Sequence, residues 1–302
     1  IEAYTRELLT SIDLSGVDEA NLKVVVDCAG GTGSLILPAL LSRIGADVLT
    51  VNNRLDEASP TDTVAKQTRD LRRLGELVAS ARADFGVRFD PVAERLQLVD
   101  GRGELVDNER ALLVVLDLVA AERKGGRVAL PVTTTRVAEQ VANRHGVQVQ
   151  WTPTSTDELT KAALAEDIIF AADGRGGFIL PEFSRTSDGI AAFVRLVGLV
   201  ARTKMSLNQI DQRIPQAHLL RRSVPTPWAV KGSVMREVVE AAAGREIDTT
   251  DGVRVIEPDG SWALVLPDTA EAVTHLWAEG PDDETAQRLL EEWAAVVERA
   301  EG

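Results

Sequence analysis

The chain has 302 residues, a formal net charge of −14, 44% apolar and 26% charged residues. That length holds two or three domains with sizeable cores, and the composition is that of a globular chain. The acidic balance argues against nucleic acid as a partner, and no apolar run reaches the length of a membrane span, so no membrane partner is expected; the lone cysteine, Cys28, excludes an intramolecular disulfide framework and fits a reducing, cytoplasmic setting.

The N-terminus lacks the basic-then-apolar order of a signal peptide. The start at Ile1 leads us to expect a piece of a longer polypeptide. The first half alternates β-branched runs with amphipathic ones. Lys23–Asp27 reads as a buried strand. Ser34–Ile44 has helical spacing, with Leu37, Leu40, Leu41 and Ile44 on one face, and stops at Gly45. Asp47–Val51 is a strand, and Thr63–Ala81 a helix with Leu71, Leu74, Leu77 and Val78 inward. Ala83–Phe89 and Leu96–Val99 are strands around an acidic loop, followed by a hairpin-like turn at Asp100–Gly103 and a helix over Asn108–Arg123.

Lys124-Gly125-Gly126 reads as a linker, after which the alternation restarts. Strands are expected at Arg127–Val132, Val147–Trp151, Ile168–Ala172 and Phe178–Leu180, with helices at Thr135–Arg144, Thr156–Glu166 and Asp188–Thr203. Ile214-Pro215 opens a proline-rich stretch. A helix over Lys231–Ala243, strands at Gly252–Ile256, Ser261–Leu266 and Val273–Glu279, and a helix over Asp282–Arg299 complete the chain. The expected fold is α/β: two α/β domains with mixed sheets (1–123 and 124–213) and a smaller C-terminal α+β domain (214–302).

Four loops are candidates for chemistry. Ala29–Ser34 follows a strand and opens a helix, a geometry that can aim amides at an anion. Its glycine spacing is neither a dinucleotide fingerprint nor a nucleotide P-loop, so a tight turn is the better reading. Asp90, Glu94 and Arg95 sit where two strands converge. The two carboxylates are hard ligands of the kind Mg²⁺ takes; the plain alternative is a solvated turn with an acid–arginine pair. Asp173-Gly174-Arg175-Gly176 is either a ligand loop, with Arg175 as an anion fork, or a flexible hairpin tip. Asp268, Thr269 and Glu271 follow a strand but have no base beside them in sequence, a poor phosphate cradle. His145, His218 and His275 lack metal-ligand spacing.

The order of these segments resembles the α-D-phosphohexomutase superfamily, the phosphomannomutases and phosphoglucomutases, over domains two to four. Val24–Asp27 with Cys28–Gly33 is similar to the segment opening domain two. Ala83–Val87 is similar to the strand before the metal loop. Asp251–Val253 and Gly260–Trp262 are similar to the start of domain four. The resemblance implies a phosphoserine in domain one, outside this chain. It also implies a Mg²⁺-binding Asp-Gly-Asp-Xaa-Asp-Arg loop, a sugar-reading loop in domain three and a phosphate-gripping loop in domain four.

Against that pattern, Asp90, Glu94 and Arg95 keep part of the metal loop, while Pro91 and Val92 replace the glycine and the middle aspartate. Asp173, Arg175 and Gly177 stand for the sugar loop's glutamate, serine and histidine. Leu266, Asp268, Thr269 and Ala270 replace the phosphate loop's arginine, serine, glycine and threonine. The stretches Val224–Arg236, Val265–Glu271 and His275–Gly280 resemble a narrower group. These are bacterial fusions named mannose-1-phosphate guanylyltransferases, in which a sugar-1-phosphate nucleotidyltransferase carries a mutase-like C-terminal region. The implied function is a scaffold or sugar-phosphate sensor without mutase turnover. Its implied partners are an upstream nucleotidyltransferase domain, a sugar phosphate and a second copy of the chain. The alternative is an active hexose-phosphate mutase with atypical ligands, using Mg²⁺ if the metal loop still works.

Overall fold

A computed structural model of the chain describes residues 1–56 and 63–300. They form two compact units: Ile1–Pro131, Val137–Gln150 and Ser155–Pro215 make the first, and Val132–Arg136, Trp151–Thr154 and Gln216–Gly302 the second. The α/β layers expected on either side of Lys124 lie in the first unit, except for Val132–Arg136 and Trp151–Thr154.

The first layer runs α1 (Glu2–Ser11), α2 (Val17–Ala20), β1 (Lys23–Asp27), α3 (Gly33–Leu41), β2 (Asp47–Val51), α4 (Val64–Ala81), β3 (Phe85–Phe89), β4 (Leu96–Asp100), β5 (Leu105–Val106) and α5 (Asn108–Arg123). Its sheet order is β2-β1-β3-β4-β5, with β1 parallel to β2 and β3, and β3–β4–β5 antiparallel. Strand β1 is almost wholly buried because such a sheet is covered on both faces. On one face, Leu74 and Val78 of α4 pack on Val25 and Val99. Thr63 caps α4 and Asp107 caps α5; each side chain accepts amides of the first turn, an arrangement that typically contributes about 1 kcal/mol.

The second layer is β6 (Arg127–Pro131), α6 (Val137–Asn143), β7 (Gln148–Thr152), α7 (Thr156–Ala162), β8 (Ile168–Ala172), β9 (Phe178–Ile179), α8 (Gly189–Thr203) and α9 (Leu207–Asp211), with sheet order β7-β6-β8-β9. Helix α7 is shorter than its pattern suggests. Arg195 of α8 is buried and reaches Glu122 of α5 at 3.1 Å and Glu182 at 3.0 Å, joining the two layers.

In the second unit, β10 (His218–Pro225), α10 (Lys231–Ala241), β11 (Glu246–Asp248), β12 (Val253–Ile256), β13 (Trp262–Pro267), β14 (Val273–Gly280) and α11 (Asp283–Arg299) build an antiparallel sheet, order β10-β14-β13-β12-β11. Alternation along β13 sends Ala263 and Val265 to α10 and α11, where Val234, Val238, Leu289, Trp293 and Val297 complete a core. Trp262 and Leu264 point the other way, onto Val132, with Trp151 packed alongside. The proline-rich stretch hides β10, which pairs with β14 along all its length; Pro225 sits at its last position, at the edge, where a missing N–H costs no ladder bond.

Among the described residues no helix is long and apolar enough to cross a membrane.

Candidate functional site

The β3–β4 loop is closed by its own first acid. Asp90 Oδ1 accepts the amides of Glu94 (2.8 Å) and Arg95 (3.0 Å). The Asp90 amide donates to the Arg95 carbonyl, and Ala93 at φ 60° completes the turn. The loop is also tied to its neighbours. The Thr32 amide donates to the Pro91 carbonyl at 2.9 Å, and Gly189 donates to the Ala93 carbonyl at 2.9 Å. The approach at Gly31 is so close that a Cβ there would lie 2.1 Å from the Pro91 oxygen. The glycine turn is therefore the seat of the acidic loop, and Gly31 is there for space.

Arg95 pairs with neither acid of its own loop. Its Nη2 and Nε lie 3.0 and 3.2 Å from Asp173 Oδ2. This corrects the acid–arginine turn read from sequence: the partner is 78 residues away. Asp173 Oδ1 accepts the amides of Arg175 (2.7 Å) and Gly177 (2.9 Å), closing the second loop as Asp90 closes the first. Backbone pairing joins them. Leu96 N donates to Gly176 O at 2.9 Å, and Arg95 bridges Gly177. Gly176 has φ 90°, and a Cβ there would meet Leu96 O at 2.5 Å. The Arg175 side chain is exposed, while its amide serves the turn.

Mg²⁺ needs a near-octahedral set of oxygens. Asp90 Oδ1 is already held by two amides, Val92 is 58% exposed and offers no oxygen, and Glu94 is exposed. Among the described residues no group of three or more His, Cys, Asp or Glu could hold a metal. The loop does not fit a Mg²⁺ centre.

The β13–β14 loop, in the second unit, is built in the same way. Asp268 Oδ1 accepts the amides of Ala270 (2.6 Å) and Glu271 (2.7 Å), and Oδ2 lies 3.0 Å from His275 Nε2. Lys231 Nζ donates to the carbonyls of Asp268 and Glu271 and lies 3.7 Å from the centre of the Trp228 ring. Thr269 is exposed. So the loop has two basic neighbours, where the sequence offered none. The register Leu266↔His275 follows from the strand alternation and could have placed His275; no sequence signal placed Lys231.

The two amides, helped by His275, hold the Asp268 carboxyl down at about 2, from an ordinary 3.8. A depressed acid stabilises the fold above its unfolded value, and that contribution is lost as pH falls from 3.8 towards 2. Asp268→Asn is expected to melt below wild type at neutral pH, with the gap closing over that window. Paired thermal melts at stepped pH would test this; a gap independent of pH would refute it.

The model for domain II of phosphoglucomutase/phosphomannomutase, the alpha/beta/alpha type, matches residues 2–103, and that for domain III matches 107–218. A phosphoglucomutase/phosphomannomutase of Thermococcus kodakarensis is 28% identical, over 99% of this chain and 66% of its own. A phosphoglucosamine/phosphogalactosamine mutase of Sulfurisphaera tokodaii is 24% identical, over 99% and 66%. The crystal structure of a phosphoglucomutase/phosphomannomutase family protein from Burkholderia thailandensis superposes with a TM-score of 0.82 at 20% identity, over 99% of this chain and 64% of that one. The chain thus spans just under two thirds of the curated relatives' length.

Proposed function

Because the chain carries domains II and III of the phosphoglucomutase/phosphomannomutase family, we propose that the protein it belongs to acts on phosphosugars. The observation that carries this is the match to both domain models in their family order. The relatives reported above are named as mutases, which supports mutase turnover by the parent protein. This alternative has more behind it than the guanylyltransferase fusion, which rests on the sequence resemblance alone and which those relatives do not support. An upstream nucleotidyltransferase domain, self-association and a cytoplasmic setting are proposals of the same standing.

The loops favour a second reading, binding without turnover by this part of the protein. Asp90 and Asp268 each satisfy the amides of their own turn, Asp173 is bound to Arg95, and the metal loop does not fit Mg²⁺. The test is to assay the parent protein, with Mg²⁺, for interconversion of the 1- and 6-phosphates of glucose and mannose. Turnover abolished by Asp90→Ala establishes a mutase and ends the second reading. Saturable hexose-phosphate binding without turnover establishes the second. Absence of both turnover and binding would sink the phosphosugar proposal.

A further inference from the structure

Outside the carboxyl ends of β1 and β2 lies a cavity of about 680 Å³, bounded by the turn at Ala29-Gly30, the segment Asn52–Asp56 and one face of α4. That volume is within the usual range for small-molecule pockets, about 300–1,000 Å³, and the cavity opens at the carboxyl edge of the sheet. Helix α4 presents Lys66, Arg69, Asp70 and Arg73 to it, residues spaced to share one face; Arg54 faces them from the loop after β2. The walls carry four cations and two carboxylates, Asp56 and Asp70, in a chain whose net charge is −14.

Asp70 is already engaged, 3.1 Å from Lys66 and 3.6 Å from Arg69. Among the described residues Arg54 and Arg73 make no ion pair. Solvated charge on an exposed helix is the ordinary state of such residues. Here, however, the cations come from two separate elements and converge on one concavity. Asn52 is fixed at its rim, with Nδ2 donating to the buried Asp27 Oδ1 at 2.9 Å.

We propose that this cavity binds a phosphate monoester of a small polar molecule. Arg54 and Arg73 would grip the phosphate oxygens, for which the planar guanidinium is suited. None of Asp90, Asp173 and Asp268 lines it. Its ligand class comes from its own lining residues; only the choice of a sugar phosphate as probe rests on the proposed function.

The test is calorimetric titration of the intact chain with glucose 1-phosphate and, separately, inorganic phosphate. The expected result is saturable binding by glucose 1-phosphate that weakens with added salt. In the double variant Arg54→Ala/Arg73→Ala it should weaken by about tenfold or more, since hydrogen bonds to charged groups are worth that much. Arg72→Ala, an exposed arginine of α4 outside this cavity, should bind as wild type. All three arginines are exposed, so melting temperatures should not move. Absence of saturable binding by either probe, or binding that the double variant leaves intact, would overturn the proposal. Binding of inorganic phosphate alone would also overturn it, because the ester's body would then have no role. Failure of mutase turnover leaves it standing, and hexose-phosphate binding that survives in the double variant overturns this site while leaving the proposed function intact.

Discussion

Glu279→Ala is expected to destabilise the second unit by about 2–5 kcal/mol, because each buried donor that loses its acceptor costs about 1–3 kcal/mol. The carboxylate is 7% exposed. It accepts Trp262 Nε1 at 2.7 Å and the Arg136 amide at 2.8 Å through Oε2, and the Thr135 hydroxyl through Oε1. Alanine removes the acceptor those donors share and opens a cavity beside Trp262. Glu279→Gln keeps one carbonyl acceptor and is expected to cost less, about 1–3 kcal/mol. Urea unfolding followed by tryptophan fluorescence reads both variants, because Trp262 and Trp293 are buried in this unit. If Glu279→Ala stayed within about 0.5 kcal/mol of wild type, as ordinary surface substitutions do, the network would not be a stabilising hub.

The second large effect is expected at Gly31. A Cβ there would stand 2.1 Å from the Pro91 oxygen and 2.6 Å from its carbonyl carbon, both backbone atoms that no rotamer change can move. Gly31→Ala must push the Asp90–Arg95 loop off the turn and lengthen the Thr32–Pro91 hydrogen bond. Overpacking of this kind costs about 1–3 kcal/mol. The shift should also reach Arg95, so chemical-shift changes are expected at Asp173 and Gly177 as well as at Thr32. A variant of wild-type stability with no perturbation at Asp173 would show that the loops are not mechanically joined. Gly30→Ala is a different case: its φ is 69°, and its Cβ would meet the Asp56 Cβ at 3.3 Å, a contact that a small displacement relieves.

Elements with strong periodicity were legible. Lys23–Asp27, Asp47–Val51, Asn108–Arg123 and Ile168–Ala172 lie where the pattern places them, because β-branched runs and capped helices write their physics locally. Strand β10 was not legible. The prolines in and around it (Pro215, Pro225, Pro227) suggest a loop, and its exposed arginines give no alternation; only pairing with β14 makes it a strand. Helix α9, a short one, depends on a capping box at Ser206 and on burial of Leu207 and Ile210.

The site divides in the same way. That Asp90, Asp173 and Asp268 sit in loops after strands could be read directly. What each carboxylate does could not, because its partners are backbone amides or residues such as Arg95 and Lys231 brought in by the fold. The sequence resemblance alone implied that the family's loop motifs are altered here. That these residues form closed, self-satisfied turns became visible only in the fold.

The stitching of Arg95–Leu96 to Gly176-Gly177 has a mechanical consequence. Two tips that elsewhere in a protein would fluctuate independently here share a backbone hydrogen bond, a two-toothed ion pair and a bridge. They must open together, so the Leu96 amide should exchange with deuterium at the rate of its partner loop rather than of an ordinary hairpin tip. A surface fastened in this way holds one shape, suited to presenting a fixed contour and poorly suited to moulding itself around a guest.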